Sequence, residues 1–250
     1  MANPIAMRSG NPALTTDTFR DVRTTAGTES MTIQGTVNKT ALALLILIAT
    51  ASYTWNLGIG DPRVPAFTMV GVLGGLVVAM VTIFKKEWAG TTTPMYAALE
   101  GLALGGISAT FEARYPGLVS QAVFLTFGTL GALLLAYRSG MIKATENFKL
   151  GIFAATGGIA VIYLINFVMS FFGSGIPLVH SSGTFGIVFS VIVVGVAALN
   201  LVLDFDFIEQ GAEAGAPKYM EWYGAFGFLV TLVWLYLEIL RLLSKLQERR

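Results

Sequence analysis

The feature that most limits the fold of this chain is a succession of long apolar runs separated by short polar segments. A helix of about 20 apolar residues crosses a bilayer, and inside hydrocarbon every backbone amide must find its partner within the structure. By that measure seven spans are expected: Thr40–Leu57, Pro65–Phe84, Met95–Phe111, Leu118–Tyr137, Leu150–Phe172, Phe185–Phe207 and Tyr219–Leu243. Helix-ending residues punctuate them: Gly58, Gly60 and Pro62 after the first, Lys85 and Lys86 after the second, Arg138 after the fourth, Gly173, Gly175 and Pro177 after the fifth. Composition agrees. Hydrophobic residues make up 54% and charged ones 12%, against about 25% charged in soluble domains, and the mean hydropathy is +0.69. The expectation is an all-α polytopic protein embedded in a lipid bilayer.

Residues 1–37 are polar and read as a flexible tail, and residues 38–250 form the membrane domain. Residues 1–30 lack the apolar stretch of a cleavable signal, so the first span is expected to act as the targeting signal. Lysine and arginine favour the cytoplasmic side. With the N-terminus cytoplasmic, the inner segments hold ten basic residues, among them Lys39, Lys85, Lys86, Lys149 and Lys218, and the outer loops hold two, Arg63 and Arg114. The C-terminal tail, with Arg241, Lys245, Arg249 and Arg250, then lies outside, against the rule; a six-span variant, or a last helix that re-enters, would put it inside. A plasma (inner) membrane protein with a cytoplasmic N-terminus is the expected topology.

Several chemistries lack their residues. There is no cysteine and one histidine, His180, so zinc sites and His-based triads lack their usual groups. A net charge of +1 implies no attraction to nucleic acid. No enzyme and no bound cofactor is expected. An intramembrane aspartyl protease would resemble a Tyr-Asp plus Gly-x-Gly-Asp pattern, and neither occurs. A retinal protein would need a lysine in the middle of its last span, whereas Lys218 and Lys245 stand at its ends.

The informative residues are the few charges inside apolar runs, since such groups normally face protein or water. Asp204 and Asp206 close the sixth run, ALNLVLDFDFIEQ. Two apart, they point opposite ways, so one can face a bundle interior and the other a polar rim; alternatively both mark the helix's exit into water. Asn200 lies four before Asp204 on the same face. Glu100 sits a turn or two inside the third span. Lys85 or Lys86 either anchors the second helix at the interface or bends inward onto a carboxylate. In the last span Glu238 is placed to pair with Arg241, and Thr231 lies on the same stripe. Mirroring the sixth and seventh helices about Ala216 sets Thr231 nearer than Glu238 to the depth of Asp204. Glu209, Glu213 and Glu221 read as a solvated acidic rim. Gly71 and Gly75, and Gly101 and Gly105, are small residues at helix-packing spacing, a pattern that Gly128, Gly131, Gly157, Gly158 and Gly195 extend.

Over residues 38–245 the chain resembles the Bax inhibitor-1 (transmembrane Bax inhibitor motif) family. The resemblance rests on EGLALGGIS at Glu100–Ser108, LDFDFI at Leu203–Ile208 and LYLEILRLL at Leu235–Leu243. It implies six helices around a central seventh, and a pH-sensitive pair of aspartates on the sixth and seventh helices that controls calcium leak. The first aspartate maps onto Asp204, which would offer oxygen to calcium. The second falls at Thr231 or Glu238 according to register, with Asp206, Glu238 or Glu100 as substitutes. The family's basic latch falls near Lys85 or Lys86. Asp206 stands where the family commonly has Gln. In such a gate two carboxylates sharing a site cannot both ionise cheaply, so a proton or a lysine holds the helices together, and its loss opens a path for calcium or another cation. The competing implication is a non-conducting regulator that binds a membrane protease or a stress-response partner.

Overall fold

A computed structural model describes residues 29–173, 175–176 and 181–249. Most of the expected flexible tail, and His180, lie outside the described residues. Among those residues the chain forms seven α-helices: α1 Ile33–Leu57, α2 Arg63–Phe84, α3 Ala89–Arg114, α4 Leu118–Arg138, α5 Glu146–Ser170, α6 Thr184–Glu213 and α7 Met220–Glu248. A single 3-10 turn, Lys86–Trp88, joins α2 to α3.

Local chemistry sets the helix ends. The Thr32 hydroxyl accepts the Gly35 amide, and the Thr145 hydroxyl accepts the Phe148 amide, so each threonine satisfies a donor that the first turn leaves open. α1 therefore begins at Ile33, ahead of the expected Thr40. It closes at Gly58, whose φ of 74° suits a residue without a Cβ. Pro94 lies in the second turn of α3, where it supplies no N–H to the helical ladder.

The helices group into two compact units. Residues 117–206 and 231–249 form one, and residues 29–116 and 207–230 the other. In the second unit α3 packs against both α1 and α2. Most of its buried positions are small, among them Ala97, Gly101, Ala103, Gly105, Gly106, Ser108 and Ala109, with Tyr96 and Leu104 the large exceptions. A Cβ on Gly101 would collide with the Leu47 carbonyl and the Thr50 hydroxyl, and one on Gly105 with the Ala51 carbonyl. Backbones at that separation exclude any larger residue.

Six helices, α1, α2 and α4 to α7, are long and apolar enough to cross a membrane. α3 covers the expected third span but falls short of that measure. The reason lies in its packing, because small residues that let α1 and α2 approach contribute little hydropathy.

The glycine pattern holds for only part of the chain. Gly71, Gly101, Gly105 and Gly106 sit at close approaches, and Gly75 lies against the Glu100 carboxylate. Gly128, Gly131, Gly157, Gly158 and Gly195 are exposed, with nothing within 4 Å of where a Cβ would stand. The expectation that these five extend the close-packing pattern is corrected. Spacing alone does not say which face of a helix meets protein.

Candidate functional site

The first unit gathers charged and amide side chains from α5, α6 and α7. Asp204 and Asp206 diverge as their spacing requires. The Asp204 side chain is fully buried (0% exposed) on α6. Asp206 keeps 18% exposure and binds the Lys149 ammonium of α5 at 2.7 Å. Lys149 is itself buried, at 3% exposure, with Glu146 of its own helix 3.6 Å away. Sequence reading counted Lys149 only as an inner-loop charge. A signal was present, since the expected topology put Lys149 and Asp206 at the same membrane boundary.

One turn before Asp204, Asn200 is buried, and its amide nitrogen donates to Thr156 Oγ1 on α5 at 2.8 Å and to the Val196 carbonyl at 2.9 Å. Its carbonyl oxygen Oδ1 has no hydrogen-bond partner. A backbone carbonyl beside the amide fixes which atom is the nitrogen, because an oxygen there would face another acceptor.

At the far end of this unit, Glu238 is 2% exposed on α7. Arg241 donates to both of its oxygens, at 2.8 and 3.0 Å, as the three-residue spacing suggested. The Tyr163 hydroxyl of α5 donates to the same carboxylate at 2.9 Å and accepts Arg241 Nη1 at 2.6 Å. Lys245, expected in a tail outside the bilayer, is buried; its ammonium donates to the Gly186 carbonyl at 3.1 Å and to Ser190 at 2.9 Å, both on α6. Thr231 is buried on α7. Thus Asp206, Asn200 and Glu238 each find a partner on α5.

The second unit holds Glu100, Lys85 and a cluster that the sequence reading missed. Glu100 is half-buried, its carboxylate 3.1 Å from where a Cβ on Gly75 would stand. The Lys85 side chain is exposed at the end of α2. Lys86 places its ammonium 5.9 Å from the Tyr223 ring centre, a cation–π distance.

Glu221 is no solvated rim acid: its side chain is 0% exposed. It accepts the Thr32 amide at 2.9 Å and the Thr32 hydroxyl at 2.8 Å, and it pairs with the Lys39 ammonium. Lys218 approaches it at 3.3 Å. Beside it the Met31 amide donates to the Ala216 carbonyl and the Lys218 amide to the Glu29 carbonyl. Gly35 makes room, since a Cβ there would collide with the Glu221 carboxylate. The segment before α1 is therefore fastened to the α6–α7 loop. Lys39 and Glu221 each flank an apolar run on the same expected side of the membrane, which is the signal that could have paired them.

Among the described residues no three His, Cys, Asp or Glu side chains come together as a metal site.

Long apolar helices that keep ionisable side chains inside define a polytopic α-helical membrane protein. The match to the Bax inhibitor 1 like family spans residues 11–248, so the chain belongs to that family. This reaches further toward the N-terminus than the resemblance over residues 38–245. Neither the curated proteins nor the solved structures returned a match.

Proposed function

We propose that this protein is a pH-sensitive leak pathway for calcium or a similar cation, gated by buried carboxylates on α6 and α7. One observation carries the reading: Asp204 is wholly buried in a helix that carries no other charged residue up to that point. A carboxylate in that position is costly unless it does something with its proton or with a cation. Asn200 adds a second buried oxygen on the same face, and hard cations take oxygen ligands. Protonated, Asp204 is a neutral group that helices can close around. Ionised, it needs water or a cation, and the helices part to admit one. Thr231, Asp206, Glu238 and Glu100 are the groups near enough in kind to complete the gate, and Lys85 the cation nearest to the family's latch.

The reading includes seven spans, with α3 as the third, a cytoplasmic N-terminus and residence in the plasma (inner) membrane. It also includes six helices around α7. In its support, 61% of the most apolar stretch of α7 is buried and 56% of that of α6, against 22% or less for α1, α2, α4 and α5.

The test is calcium flux into liposomes holding the purified protein, across a pH series. Wild type is expected to leak with a pH-dependent rate, and Asp204→Asn to lose that dependence. An Asp204→Asn variant that keeps the wild-type profile refutes the gate. Wild-type vesicles that pass no cation leave the protein as a non-conducting membrane regulator.

A further inference from the structure

The face of α5 that meets protein has an order of its own. Reading up the helix, its packed positions include the buried Lys149, Ile152 and Ile159 and the half-buried Thr156 and Tyr163. The polar ones recur every seven residues, two helical turns apart, and so lie on one stripe. Each bonds a different polar group of α6 or α7: Lys149 holds Asp206, Thr156 holds Asn200, and Tyr163 holds Glu238 with Arg241. From Lys149 to Tyr163 the stripe covers roughly 21 Å at the helical rise, most of the thickness of a bilayer's hydrocarbon. Elsewhere α5 carries exposed apolar residues, as at Val161 and Leu164, and the half-buried Asn166, whose Oδ1 accepts the Ile176 amide at 2.9 Å.

Hydrogen bonds of this kind also serve as plain adhesive between membrane helices. Two features exceed that role. Adhesive needs no charge, yet each end of the stripe carries an ion pair with one buried member, Lys149 at one end and Glu238 at the other. Its middle rung is also incomplete, because Asn200 is 1% exposed and its carbonyl oxygen takes no donor. A buried acceptor left open is costly, and water or a cation is what fills such a place.

From this we infer that the Lys149–Thr156–Tyr163 stripe is the wall of a hydrated path along α5, and that Asn200 Oδ1 is an oxygen ligand midway along it for a hydrated hard cation. The ion pairs at Lys149 and Arg241 stand at its two ends, and the cation passes as cargo. This rests on the leak reading above and adds to it a route and a binding step.

The chain has no cysteine, so a thiol introduced at one position reports on that position alone. Thr156→Cys and the lipid-facing control Leu164→Cys are reconstituted in liposomes. Each is treated with a permanently charged methanethiosulfonate reagent that reacts with wetted thiols. Modification is expected at T156C, to be slowed by calcium, and to abolish its flux; L164C is expected to stay unmodified and conducting. A T156C protein that leaks calcium but resists the reagent, or is modified without losing flux, overturns the path. Either result leaves the Asp204 gate standing if D204N still alters the pH profile. The gate fails separately, by a D204N variant with a wild-type profile.

Discussion

Glu221 tests whether a carboxylate at the foot of α7 fastens the segment before α1. Glu221→Gln keeps the volume and removes the charge. The native side chain is fully buried and accepts three bonds, two from Thr32 and one from Lys39. Removing one partner of a fully buried ion pair costs about 3–5 kcal/mol. Lys39 retains 19% exposure and Lys218 retains 44%, so both cations can return to water. The expected loss is therefore lower, about 2–3 kcal/mol, close to one hydrogen bond to a charged group at ~1.5–3 kcal/mol. At ~2–4 °C per kcal/mol for a chain of this size, the melting midpoint in detergent should fall by about 4–12 °C at one fixed scan rate. Hydrogen exchange should quicken at the Met31 and Thr32 amides, whose acceptors are Ala216 and Glu221. Lys39→Met should cost little more in the E221Q background than E221Q alone, because both remove the same contact. An E221Q protein with an unchanged midpoint and unchanged exchange at those two amides would refute the clamp.

Other outcomes follow from the packing. Lys149→Met should destabilise by about 1–3 kcal/mol, below the value for a fully buried pair because Asp206 is partly exposed, and K149M combined with Asp206→Asn should recover part of the loss in the same melting assay. Gly101→Ala should cost about 1–3 kcal/mol by pushing α3 off α1. Gly158→Ala, facing open space, should be neutral or raise stability by up to ~1 kcal/mol through helix propensity. If both alanines behave alike, the close approach of α1 and α3 is wrong.

The helices themselves were legible because hydropathy is a local sum. A run of twenty apolar residues needs no knowledge of its neighbours to require a helix in lipid. The Glu238–Arg241 pair was legible for the same reason, as both groups lie on one turn of one helix. Asp204 stood out as a charge where charges are costly. Lys149 and Glu221 were misjudged because their partners lie 57 residues onward and 182 residues back. Nothing within a turn of either residue signals those contacts.

What the sequence alone determined was the number and order of the helices, the family, and the short list of charges that hydrocarbon would not tolerate unattended. Only the tertiary structure decided which carboxylate meets which cation from a distant part of the chain, which glycines touch a neighbour, and that α5 presents a polar edge to α6 and α7. Each residue turns a helix by about 100°. A side chain's surroundings therefore depend on how each helix is rotated against the others, and many contacts scattered along the chain must agree to fix that rotation.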